Sequence, residues 1–133
     1  MTNKFAYIFF TFIFITACQP KKSTKIIGNW QATTVLEEKR PLEVDVKVIK
    51  LSFHDDQNYT YHGTLKYKEA GTYSIEKDLL YTLDTLNFAS IEKAVKITLL
   101  TDDSLHIKMN ENGKERIIKF IKESPKDNHL TTE

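Results

Sequence analysis

Residues 59–67 read Tyr-Thr-Tyr-His-Gly-Thr-Leu-Lys-Tyr. Tyr59, Tyr61, Gly63, Leu65 and Tyr67 alternate with Thr60, His62, Thr64 and Lys66, so the apolar period is two rather than 3.6, in a stretch of aromatic and β-branched residues. That pattern predicts a strand with one apolar and one polar face. The same period recurs on both sides of it. Downstream, strands are expected over 70–76 (Tyr73, Ile75), 79–85 (Leu79, Tyr81, Leu83), 94–100 (Val95, Ile97, Leu99), 105–109 (Leu105, Ile107, Met109) and 115–122 (Ile118 and Phe120 opposite Ile117 and Ile121). Upstream, residues 44–53 place Val44, Val46 and Val48 in one phase and Ile49, Leu51 and Phe53 in the other; a bulge near Val48 would account for the slip. Residues 26–36 form the first strand.

The intervals between these strands are short. Residues 54–58, 76–78 and 101–104 are turns, Asn112-Gly113 is a strong hairpin signal, and 87–92 is a loop or single helical turn with Phe88 and Ile91 folding over one end. Eight consecutive strands with short connections predict an all-β, antiparallel up-and-down barrel, since closing such a sheet removes both of its edges.

Ahead of the barrel lies a different kind of sequence. Residues 1–4 carry one cation, and residues 5–17 (FAYIFFTFIFITA) are uncharged, aromatic-rich and end in small residues, which is the layout of a secretory signal. The run is shorter than the roughly 20 apolar residues that cross a bilayer. Ile15-Thr16-Ala17-Cys18 resembles the lipobox of bacterial lipoproteins, in which the Cys thiol takes a diacylglycerol and the peptide is cut just before it. Cys18 is the only cysteine, so it has no internal disulfide partner, and lipidation gives it a use. The expected organisation is a signal peptide over 1–17, a lipidated Cys18 and flexible linker over 18–25, the barrel over 26–122 and a disordered tail over 123–133. The resemblance implies a bacterial envelope protein held to the membrane by acyl chains, palmitate among them. With Gln19 after the Cys and no acidic run, it implies sorting to the outer membrane, the domain facing the periplasm.

Within the barrel, Gly28-Asn29-Trp30 on the first strand and Ala70-Gly71-Thr72-Tyr73 resemble the Gly-x-Trp and Gly-x-Tyr motifs of bacterial lipocalin-like domains, in the wider lipocalin and fatty-acid-binding-protein group. Thr101-Asp102 is similar to the start of the lipocalin Thr-Asp-Tyr turn, with Asp103 departing from it. The resemblance covers residues 26–122. It implies that Trp30 plugs a closed end and that Arg116 packs over it as a cation on a ring.

Chemistry finds little support in the composition. Lys and Arg total 19 against 18 Asp and Glu, with no dense basic block, which argues against nucleic acid. His54, His62, His106 and His129 are scattered without metal-ligand spacing, Asp55-Asp56 and Asp102-Asp103 are turn residues lacking the pattern of a calcium loop, and no Ser sits in a nucleophile elbow. Asn58-Tyr59-Thr60 matches a glycosylation acceptor for which a bacterial lipoprotein has no use. An enzyme and a resident cofactor are not expected. The candidate binding residues are the aromatics assigned to the inward phase: Phe53, Tyr59, Tyr61, Tyr73 and Tyr81. Either they line a pocket for a small hydrophobic or aromatic ligand, or they fill the barrel and the protein acts through its surface as an accessory or inhibitor of another envelope protein.

Overall fold

The computed structural model describes residues 22–125. Its strands are β1 (Gly28–Glu37), β2 (Arg40–Pro41), β3 (Lys50–Phe53), β4 (Asn58–His62), β5 (Lys68–Glu76), β6 (Leu79–Asp84), β7 (Lys93–Leu100), β8 (Ser104–Glu111) and β9 (Lys114–Lys122). Apart from β2, each strand pairs with the next, and β1 pairs with β9, so eight strands close into an antiparallel barrel. β2 is a two-residue flap against Leu36 and Glu37 of β1. β1 can serve two neighbours because it is long: Gly28–Gln31 faces β3, and Trp30–Glu37 faces β9. A register shift at Thr33 turns the strand, so the buried residues run Trp30, Ala32, Val35.

One end is shut. Trp30, Phe53, Tyr73, Leu105 and Phe120 are all buried there, with the Phe53 and Tyr73 rings edge-on at 4.8 Å. Ile26 enters from a helical turn, Lys22–Lys25, and is fully buried. The indole N–H of Trp30 donates to the Ile26 carbonyl at 2.8 Å, fastening the chain entry to the barrel floor. Trp30 is 1% exposed and stands where the plug was expected. The cation over it, however, is Lys122 at 4.9 Å from the ring centroid, not Arg116. Register decides this, because β1 and β9 run antiparallel with Trp30 opposite Lys122 and Glu37 opposite Arg116, seven residues along. Gly28 sits at φ +135°, which favours glycine, and a β-carbon there would press on the Lys122 stem at 3.2 Å.

Gly71 has a different reason to lack a side chain. A β-carbon on it would lie 1.8 Å from the Leu83 carbonyl oxygen, so the close approach of β5 and β6 at this bend admits only hydrogen.

Several elements depart from the sequence expectation. The strand expected over 59–67 stops at His62. Leu65 and Lys66 adopt left-handed backbone at φ 55° and 60°, the Gly63 N–H donates to the Tyr67 carbonyl, and the alternation continues through a loop. The strand expected over 44–53 is formed only from Lys50. The phase slip is real, but its cause is a tight helical turn at Val46–Val48, capped by the Asp45 carboxylate and held by the Gln31 amide, which donates to the carbonyls of Val46 and Ile49. In β7 the register shifts between Ile97 and Leu99, which turns Leu99 outward and Leu100 inward. Phe88 and Ile91 do not fold over an end; both point into solvent, Phe88 at 91% exposure. Asn112 and Gly113 do make the hairpin, both at positive φ between Glu111 and Lys114. Residues 22–25, expected within the linker, form the helical turn, and the Glu123 N–H still donates to Asn29. The signal peptide over 1–17, Cys18 and the tail from 126 lie outside the described residues.

Candidate functional site

The end opposite Trp30 is open. There the connection 63–67, the start of β7 and the end of β8 border a solvent-connected cavity of about 890 Å³. Its floor is apolar, made by Leu51, Leu80, Ile107, Ile118 and Phe120, with Val95 and Met109 above. Period two explains the floor, since Leu105, Ile107 and Met109 on β8 and Ile118 and Phe120 on β9 follow one inward phase. The barrel is therefore filled over one half and hollow over the other.

The wall carries two ionic groups, each closed on itself. Glu69 follows the same inward phase of β5 as Gly71 and Tyr73 and is buried. Its carboxylate accepts from Tyr59 Oη at 2.9 Å, from Tyr67 Oη at 2.7 Å and from the Lys93 ammonium. Burial acts to raise the Glu69 pKa, but the Lys93, Tyr67 and Tyr59 donors outweigh it and hold the group below the ordinary carboxylate value. The converse appears on the phenols. Donation to Glu69, with burial adding, pushes Tyr67 up to about 12, and burial followed by the same bond raises Tyr59 further.

The second group stands across the mouth. Arg116 lines the cavity and donates to Glu37 at 2.6 Å and to Glu111, while Lys114 reaches the other Glu37 oxygen at 3.3 Å. Hydrogen bonds from Arg116 and Lys114 lower the Glu37 pKa, and the Glu37 bond raises that of Arg116. The Nε–H of Arg116 is buried with no acceptor. Near the rim Asp84 organises the 85–92 loop, accepting from the Leu86 and Asn87 N–H groups and from the Asn87 amide, which also donates to Lys68.

Of the candidate aromatics, Tyr59 and Tyr61 line the cavity. Phe53 and Tyr73 lie in the packed half, where the Tyr73 hydroxyl donates to the His54 carbonyl at 2.9 Å. Tyr81 is on the outer face, a correction to the inward assignment. The two-residue turn at Lys77-Asp78 pairs Glu76 with Leu79, so Leu79, Tyr81 and Leu83 share the outward face of Glu76, and Leu80, Thr82 and Asp84 point in. Apolarity alone assigns the wrong face of β6. Glu69, Tyr67, Lys93 and Met109 were not foreseen as site residues; the signal that points to Glu69 is its phase, two residues before Gly71 and four before Tyr73. Among the described residues, no group of three or more His, Cys, Asp or Glu side chains is placed to hold a metal ion.

No family model matches the chain, and no curated protein matches it. Among solved structures it is similar to a lipocalin-like protein from Bacteroides uniformis, at 16% identity and a TM-score of 0.55 over 74% of this chain and 99% of that one. That likeness establishes the fold.

Proposed function

From the lipocalin-like barrel as premise, we propose that this protein binds a small lipophilic ligand in the open half of its barrel while acyl chains on Cys18 hold it at a membrane of the bacterial envelope. The observation that carries the reading is the cavity itself. At about 890 Å³ it falls within the range of roughly 300–1,000 Å³ seen for small-molecule pockets, with an apolar floor and few polar groups above it. A ligand would lay its apolar body on Ile107, Ile118 and Phe120 and turn its polar end toward Tyr61 and the rim. The lipobox-like Ile15-Thr16-Ala17-Cys18 supports the tether, and Gln19 supports an outer-membrane location facing the periplasm. Lys22 enters at the closed end, where its ammonium donates to Lys77 at 3.1 Å. It lies four positions after Cys18, a reach of at most about 14 Å. The tether would thus hold the closed end near the bilayer and leave the mouth facing away from it.

Native mass spectrometry of the protein purified from its own membranes tests the binding reading. A bound adduct of a few hundred daltons is expected, reduced in Met109→Trp, whose indole would intrude on the cavity; purification without any adduct and failure to take up added lipophiles would overturn it. Labelled palmitate on the wild type and not on Cys18→Ser tests the tether. A surface role, as accessory or inhibitor of another envelope protein, is favoured by one observation: Leu65, Phe88 and Ile91 stand exposed on the loops around the mouth.

A further inference from the structure

We infer that the cavity selects neutral amphiphiles, such as alcohols, esters or amides of medium-chain acyl compounds, and rejects the corresponding carboxylates. The inference rests on the binding reading above and adds the class of ligand. A lipophile with an acidic head needs a free cation at the wall, and an arginine can grip a carboxylate with two parallel N–H bonds. Arg116 lines the cavity but its charge is already matched by two carboxylates. Glu37 and Glu111 each accept from one of its terminal nitrogens, and the Nε–H is enclosed by protein, so a ligand would meet one leftover N–H on each terminal nitrogen of a guanidinium already neutralised. The other cation at the wall, Lys93, is the counterion of Glu69. Drawing Lys93 toward an anionic ligand would leave a buried carboxylate with phenol donors only, a substantial cost.

The charges of the two wall networks lead to the same result. In them Glu37, Glu69 and Glu111 face Arg116, Lys93 and Lys114, three against three, every one of them paired. An incoming carboxylate would therefore lose its hydration without gaining a cation. A hydroxyl or ester head loses much less and finds the Tyr61 ring edge and phenol, the Thr82 hydroxyl and the rim backbone. The network is held from three separate elements, β1 through Glu37, β8 through Glu111 and β9 through Arg116, so it is a built feature of the barrel mouth rather than a chance surface pair.

The test is displacement of the neutral fluorophore N-phenyl-1-naphthylamine from the purified protein by 1-decanol and by decanoate at pH 7. Decanol is expected to displace it at a concentration at least tenfold below that of decanoate. Because decanol is also the more hydrophobic of the two, the deciding arm is Glu37→Gln/Glu111→Gln, which frees the guanidinium. There the decanoate-to-decanol affinity ratio is expected to rise by about tenfold or more, the scale of one charge-assisted contact. Circular dichroism confirms folding, and Glu111→Gln alone, at an exposed carboxylate, repeats the test with a smaller rise should the double variant unfold. Wild-type protein that binds decanoate as tightly as decanol, or a ratio unmoved in the variants, overturns the inference and leaves the binding reading standing. Failure of the fluorophore and of both lipophiles to bind overturns the two together.

Discussion

Replacement of Trp30 probes the joint between the chain entry and the barrel floor. Trp30→Ala removes a side chain that is 1% exposed, an indole N–H bonded at 2.8 Å to Ile26, and the ring beneath the Lys122 ammonium. Truncating a buried aromatic costs about 3 to 5 kcal/mol, and the Ile26 carbonyl left without its donor lies toward the upper part of that range. A domain of this size has about 5 to 15 kcal/mol in all, so a loss of about 4 kcal/mol is between about a quarter and most of its stability. With a urea slope of about 1.3 kcal/mol per molar, a loss of about 4 kcal/mol lowers the midpoint by about 3 M. Trp30→Phe keeps most of the ring and loses the N–H, for about 1 to 2 kcal/mol and a shift of about 1 M. The readout is far-ultraviolet circular dichroism, since the only tryptophan leaves with the substitution. A Trp30→Ala midpoint within about 0.5 M of wild type would refute the reasoning, and equal losses in the two variants would assign the effect to the hydrogen bond rather than to ring burial.

Gly71→Ala should yield little soluble barrel or lose more than about 3 kcal/mol, because a β-carbon meets the Leu83 carbonyl at 1.8 Å; a wild-type melting curve would contradict the close approach of β5 and β6. Leu65→Asn is expected to raise the urea midpoint slightly, by about 0.5 kcal/mol of stability, since Leu65 is 99% exposed at φ 55° and Asn tolerates that backbone; a lower midpoint counts against strain in the 63–67 loop. Glu69→Gln should cost about 2 kcal/mol at pH 7 through its lost charged hydrogen bonds. Because the folded pKa of Glu69 lies below its ordinary 4.5, its contribution is full above pH 4.5 and falls away as the pH drops through the folded value, so wild type and variant should converge in urea titrations toward pH 3. Parallel curves at all pH values would refute the Glu69 network.

The architecture was legible because strands with one buried face must alternate, and β8 does so from Leu105 through Ile107 to Met109. What escaped the sequence were places where backbone geometry overrides side-chain pattern. Thr64-Leu65-Lys66 continue the alternation of β4 and contain none of the residues that usually announce left-handed backbone, yet they turn. Leu79, Tyr81 and Leu83 look like a core face, but hairpin parity at Lys77-Asp78 sends them outward. The candidate site suffered most, since its wall carries charged groups. Arg116 was associated with Trp30 through a family motif, whereas strand register places it at the opposite end with Glu37 and Glu111. Two closed sets of acids and bases are assembled, one from β5 and β7 and one from β1, β8 and β9, and no local spacing betrays partners so far apart in the chain.

The pairing of β1 with β9 also sets an order of events. A ribosome or an export channel releases Gly28 long before Lys122, so the first strand spends the whole passage without the neighbour that completes it. Until the last nine residues of the barrel arrive, the cylinder is an unrolled ribbon with a raw margin on either side. A chain shortened before β9 would stay sticky along the margin that β1 then leaves bare.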